Sequence, residues 1–227
     1  MKKHFKFFAT CLGLIFFSLF IFQSFIVPEV SLSIHSIASN IEPISLAMSG
    51  VAFADVNWDP GDNMGGFTTT GYLILLNEVA TFPTKTAEPT TDAQMIEIRG
   101  NYVMKPTKKA YSITWFPNTA GATSDVAGEP GSQCFNQVPK VFVKGTKTAQ
   151  LAFATKINNQ LGILLLRDPN TRELNQFGCE DFPLVFKANT KHGENATDKR
   201  GLEIEGQAYS IRPAYIYKGT LPLTPAT

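Results

Sequence analysis

Histidines, thiols and clustered carboxylates are the side chains through which a chain of this kind would do chemistry, and few of them stand where they could cooperate. His4 and His35 fall within the first 54 residues. That leaves His192, in the polar stretch Lys191-His192-Gly193-Glu194-Asn195. A loop histidine can act as a general base, but no second histidine and no Gly-x-Ser-x-Gly turn accompanies it. Cys134 and Cys179 with His192 make an irregular trio without the paired spacing of a zinc site. The two thiols either pair in an oxidising compartment or sit as small, half-buried groups; Cys11 lies in an apolar N-terminal stretch. Asp55, Asp59 and Asp62 resemble a cation loop, yet Pro60-Gly61 and a missing distal glutamate spoil an EF-hand pattern, and a turn with exposed carboxylates is the expectation. Gly61, Gly65 and Gly66 lack the Lys-Ser/Thr that follows a phosphate loop. Asn195-Ala196-Thr197 fits the glycosylation sequon, and Lys105, Lys108 and Lys109 read as a solvated loop. The residues therefore nominate no catalytic, cofactor-binding or metal-ligating group. A protein that is not an enzyme and needs no cofactor is expected.

Whole-chain numbers point the same way. The 227 residues carry 20 Lys plus Arg against 19 Asp plus Glu, a net charge of +1. Such a surface has no large single-sign field to coat nucleic acid or seek an anionic membrane. Phe, Gly and Pro are plentiful at 18, 17 and 14, a mix that favours strands joined by turns.

The first 54 residues form a hydrophobic extension distinct from residues 55–227, which read as one β-rich domain. Lys2, Lys3 and Lys6 precede a run without charge that begins at Phe7 and ends at Val27. As a helix, residues 7–27 are long enough to span a bilayer and to make membrane contact, with the N-terminus cytoplasmic. Ala52-Phe53-Ala54 has the small-x-small form of a signal-peptidase site but lies about 25 residues beyond the run, farther than such sites usually fall. Composition also changes abruptly after Met48. Three readings stand open: an export signal, a retained anchor, or a true start at Met48 with the upstream residues a misassigned extension.

In the body, Asp59-Pro60-Gly61-Asp62-Asn63 and Gly65-Gly66 are turn-formers. Residues 72–76 suit a buried strand, residues 81–91 with Pro83 and Pro89 a loop, and residues 111–116 another strand. Met95-Ile96-Glu97-Ile98-Arg99-Gly100 and Leu202-Glu203-Ile204-Glu205-Gly206 alternate apolar and charged residues, as half-buried strands do. Residues 214–218 are tyrosine-rich. One helix is expected at residues 147–158, with Thr146 as N-cap, Leu151, Ala154 and Ile157 on its apolar face, and Asn158-Asn159 as its stop. Residues 161–166 are almost continuously apolar, so that strand should be buried on both faces and central, with the helix packed across it. A mainly β fold follows: a β-sandwich or partly closed barrel with one flanking α-helix, plus an N-terminal hydrophobic helix.

The C-terminal half, residues 146–223, resembles the tail-tube (major tail) proteins of phages and prophages. The similarity runs from the helix into the apolar strand, through the turn Asp168-Pro169-Asn170, then Phe177-Gly178 and Glu180-Asp181-Phe182-Pro183. It continues through Asp198-Lys199-Arg200-Gly201 into an alternating strand and ends on Pro213-Ala214-Tyr215-Ile216-Tyr217-Lys218-Gly219. The resemblance implies a structural virion subunit, assembled in the host cytoplasm, that closes into rings and stacks into a tube. Its partners would be copies of itself and other tail proteins, with DNA only as passing cargo. Strand edges and two long loops, residues 121–131 and 187–197, would supply the contacts between subunits. The alternative from residues 7–27 is an exported or inner-membrane-anchored envelope β-sandwich with a binding role.

Overall fold

The computed structural model describes residues 51–58, 61, 63–195 and 197–225, all within one compact unit, Ser49–Thr227. The expected hydrophobic helix at residues 7–27 and the Met48 start lie outside the described residues. Among the described residues the fold is mainly β, with 41% strand and 11% helix.

Among the described residues, twelve strands appear in chain order. They are β1 (Thr70–Leu75), β2 (Val79–Thr81), β3 (Glu97–Ile98), β4 (Val103–Met104), β5 (Tyr111–Thr114) and β6 (Ala120–Ala127), followed by β7 (Cys134–Lys144), β8 (Leu161–Arg167), β9 (Leu174–Phe177), β10 (Leu184–Lys191), β11 (Gly201–Ser210) and β12 (Tyr215–Tyr217). Two α-helices interrupt them, α1 (Asp92–Ile96) and α2 (Thr148–Ile157).

Ten strands form one sheet that branches at β8. One edge of β8 pairs with β1, Leu73 opposite Leu164, and β1 pairs onward with β5. The other edge of β8 is shared. Leu161 and Gly162 pair with β10, whereas Leu164 to Arg167 pair with β9. One branch runs β10-β11-β7-β6 and the other β9-β12-β3, while β2 and β4 pair separately. A strand flanked on both edges and covered on both faces has no place for polar side chains, which explains the unbroken apolar run from Ile163 to Leu166, each residue fully buried. Gly162 is required where β8 divides: a Cβ there would meet the Ile74 carbonyl oxygen and the Phe186 ring.

The two faces of β8 serve two cores. Leu164 and Leu166 join Leu73, Trp115, Val141, Leu184, Phe186, Leu202, Ile204 and the α2 residues Ala154 and Ile157. Ile163 and Leu165 join Ile74, Ile98, Tyr102, Met104, Tyr215 and Tyr217. The alternation expected in residues 202–206 continues to the end of β11: Leu202, Ile204, Gly206 and Ala208 point inward, with Glu203, Glu205 and Gln207 opposite. Pairing of β11 with β7 lapses opposite Pro139, which has no N–H to give.

Five expectations need correction. Met95 and Ile96 are not strand but the end of α1, because Thr91 accepts from the Gln94 N–H at 3.3 Å while the Gln94 side chain accepts from the Thr90 N–H at 2.9 Å. These reciprocal caps close the helical turn and leave only Glu97–Ile98 extended. At α2, Thr146 does not cap: its hydroxyl accepts from Arg200 Nε at 2.6 Å, and Lys147 holds the cap position without a side-chain bond. Nor does Leu151 reach the core; it is 39% exposed, and the buried face of α2 is Ala154 and Ile157 with Phe153 half-buried. The helix lies against β10 and β11 rather than across β8. Asn158 ends it in an extended conformation, and Asn159 takes the left-handed turn at φ 62°. Finally, the expected loops are largely strand: residues 121–127 belong to β6 and residues 187–191 to β10.

Candidate interaction surface

The groups singled out for chemistry are scattered. His192 is exposed just beyond β10. Cys134, half-buried at the start of β7, and Cys179, buried in the second core, are both free thiols. Asp55 is exposed, and Asp59 and Asp62 lie outside the described residues. Among the described residues, no group of His, Cys, Asp or Glu is arranged to hold a metal ion. Asn195 and Thr197 are exposed.

Lys105 and Lys108 are not free in solvent. Lys105 Nζ donates to the Asn77 carbonyl at 2.7 Å, and Lys108 Nζ to Glu78 Oε1 at 2.9 Å. Glu78 is buried, and its other oxygen accepts from the Tyr111 hydroxyl at 2.9 Å. Burial, reinforced by that bond, pushes the Tyr111 phenol above its ordinary value, and the Glu78 carboxylate holds Lys108 protonated. The trio is a clamp with both carboxylate oxygens occupied. A cavity of about 300 Å³ beside it is walled by Leu73, Leu75, Phe153 and Ile157.

A second polar cluster escaped sequence reasoning. Gln137 and Gln176 are fully buried. Gln137 donates to the Arg212 and Pro213 carbonyls at 2.9 and 3.2 Å and accepts from the Gly178 N–H at 2.8 Å. Gln176 donates to the Gly178 carbonyl at 3.1 Å and accepts from the Tyr102 hydroxyl at 2.8 Å. Burial raises the Tyr102 phenol far above its ordinary value. Every amide group finds a partner, so the network staples the two branches of the sheet together. Its only trace in sequence is two glutamines in otherwise strand-like runs, which does not separate buried from exposed.

The outer surface is more informative. Strand β6 pairs only with β7, so one backbone edge of eight residues carries no strand partner among the described residues. Edge strands usually protect themselves with lysines, prolines or bulges; β6 has none of these, and Asp125 is its single charge. On the outward face of β10 and β11, two ion pairs sit near the loop that joins the strands: Lys191 Nζ to Glu203 Oε2 at 2.5 Å, and Lys140 Nζ to Glu205 Oε2 at 2.7 Å. Toward the other end the same face turns apolar. Leu161, Phe182, Val185 and Tyr209, each 41–52% exposed, line an open groove of about 510 Å³ with Pro183 and Lys187. On its rim, Asp181 pairs with Lys85 at 3.0 Å; burial alone would lower the lysine, but this bond together with the nearby Cys179 and Tyr215 leaves it raised.

Two of the motifs behind the family resemblance make local turns. Asp168 Oδ1 accepts from the Asn170 and Thr171 N–H groups at 2.7 and 3.0 Å, making the turn after β8. Asp198 Oδ2 does the same for Glu194 and Asn195, both at 2.8 Å, which lowers its carboxyl below the ordinary range. The tyrosine segment is β12, parallel to β3 and antiparallel to β9. Compared with family models, with curated proteins and with solved structures, the chain matches none. Among the described residues, no helix is long and apolar enough to cross a membrane.

Proposed function

We propose that the chain is a structural subunit of a phage or prophage tail tube, which closes into rings and stacks them into a conduit for passing DNA. The observation that carries this reading is the bare apolar groove of Leu161, Phe182, Val185 and Tyr209 beside a well-sealed double core. A chain that buries its interior so fully and leaves this patch open has surface reserved for another protein. The unprotected edge of β6 adds a row of backbone donors and acceptors suited to inter-subunit pairing. Near-zero net charge suits a conduit that must release polyanionic cargo.

On this reading the branched sheet is a partly closed barrel. Going around, β7, β11, β10, β8, β1 and β5 follow one another, and the Phe116 N–H reaches the Phe142 carbonyl at 3.4 Å where β5 returns toward β7. Helix α2 flanks the remaining gap. Function would then rest on assembly in the cytoplasm and residence in the virion, with no catalytic step.

The charge-free run at residues 7–27 favours a second reading, an exported or anchored envelope protein. On that reading the thiols of Cys134 and Cys179 would meet an oxidising compartment, whereas a cytoplasmic tube subunit keeps both reduced. Electron microscopy of the purified full chain, alongside a chain beginning at Met48, tests the leading reading. Rings or tubes are expected. A monodisperse monomer at high concentration overturns it.

A further inference from the structure

Ahead of β1, Val51 to Trp58 run as an arm without regular structure, and three large apolar side chains on it touch almost nothing: Phe53 is 104% exposed, Val56 97% and Trp58 85%. No other segment of the described chain leaves so much apolar surface bare. We infer that this arm is the occupant of the apolar groove formed by Leu161, Phe182, Val185 and Tyr209, in a second copy of the chain.

Three observations select that partner. The groove offers open apolar volume of about 510 Å³, enough to receive aromatic side chains. Burying two aromatics and a valine removes on the order of 500 Å² from water on the arm side alone. Charge is complementary too. Asp55 is exposed between Phe53 and Val56, and Lys187 on the groove rim has no ion-pair partner among the described residues.

The arm leaves Phe53, Val56 and Trp58 bare in its own copy, and its root lies far from the groove, which points to another copy. Just beyond the arm, Met64 is fixed to the turn that follows β8: its N–H donates to Asn170 Oδ1 and its carbonyl accepts from Asn170 Nδ2, both at 3.1 Å. Leu161, in the groove, is the first residue of β8, at the strand's opposite end. Arm root and groove therefore sit at the two ends of a seven-residue strand, a separation of roughly 20 Å. An arm leaving one end of a copy and a socket at the other end make a head-to-tail contact, which repeats from copy to copy. The inference rests on the self-assembly proposed above and names one contact within it.

The test uses the full chain with Cys11→Ser and Cys134→Ser to remove competing thiols. One version carries Trp58→Cys, and a second, isotope-labelled version carries Val185→Cys. Mixed and treated with a short bis-maleimide, the two should give a crosslinked heterodimer that neither version gives alone. Adding Tyr209→Glu to the groove version should lower its yield about tenfold, since a charge is then forced against apolar side chains. A mixture without the heterodimer, or a yield indifferent to Tyr209→Glu, overturns the inference. Electron microscopy of the same samples separates the two ideas. Rings or tubes without the crosslink leave self-assembly standing and remove the arm from it; no assembly at all removes both.

Discussion

On the outer face of β10 and β11, two stretches of the same strands are dressed in opposite ways. Near the connecting loop, Lys191 pairs with Glu203 and Lys140 of the neighbouring β7 pairs with Glu205, so charged side chains cover this end. Near Val185 and Tyr209 the strands, joined by Leu161 and Phe182, present hydrocarbon to water. Backbone register is shared and unbroken, with Lys187 opposite Glu205 and Val185 opposite Gln207. Fold geometry therefore does not account for the difference. Solubility would be served by charges at both ends, and only one end has them. That asymmetry is what the proposed contact between copies rests on.

The largest effect should come from turning the same strand over. Phe186 is fully buried, while its neighbour Val185 is 41% exposed. Phe186→Ala is expected to cost about 3–5 kcal/mol by urea unfolding, through lost burial and a cavity among Leu184, Ile157 and Leu202. Val185→Ala should stay within about 0.5 kcal/mol, as surface changes do. Equal costs would mean that Val185 is already committed within its own subunit, and the contrast between the two ends would fail.

Assembly should report the next effect. Val185→Glu or Phe182→Glu puts a carboxylate in the apolar end, which costs little in water but much once covered. The concentration needed to form rings or tubes is expected to rise about tenfold to a hundredfold, with the unfolding midpoint unchanged. Sedimentation velocity measures both species. Unaltered assembly would move the contact surface elsewhere.

At the charged end the effect should be small. Glu205→Gln breaks a pair whose lysine side chain is half exposed, and exposed pairs contribute about 0.5 kcal/mol. Lys140 is held protonated chiefly by that hydrogen bond, so the variant should also lower the lysine toward its ordinary value. Thermal unfolding should shift by only about two degrees, and assembly should not change. A loss of assembly here would erase the distinction between the two ends.

How far the sequence foretold this arrangement depends on which force set each element. Strand β8 was legible because burial on two faces leaves only apolar residues, and β11 because burial on one face enforces a period of two. Residues 95–98 were not. Met-Ile-Glu-Ile alternates as a strand should, but a local cap from Thr91 and Gln94 closes a helical turn first. For α2, its place was plain and its orientation was not: spacing put Leu151 with Ala154 and Ile157, whereas packing on β10 and β11 turns Leu151 outward. Glycine and threonine in residues 121–127 suggested a loop, because an edge strand with one solvated face lacks the apolar signal that marks a core strand. The apolar groove was invisible, since Leu161, Phe182, Val185 and Tyr209 meet only through tertiary pairing and each alone is an ordinary strand residue. The turn at Asp168-Pro169-Asn170 was readable because its hydrogen bonds are local.

Local bonding also governs the loop that closes the charged end, where the effect should be smallest and most specific. Asp198 accepts from the Glu194 and Asn195 amides, and these bonds favour its ionised form, placing its carboxyl below the ordinary value of 3.8. A carboxyl whose folded value is depressed contributes order that is fully present above the unfolded value and fades as pH falls through the folded one. Protection of the Glu194 and Asn195 amides against hydrogen exchange should therefore persist at neutral pH and decline only below about pH 3.8. Asp198→Ala should abolish that protection at every pH while leaving the exchange of core amides in β8 intact. If the variant instead loosened the groove end of β10 and β11, the two ends would be coupled through their strands, and the apolar end could not be treated as an independent surface.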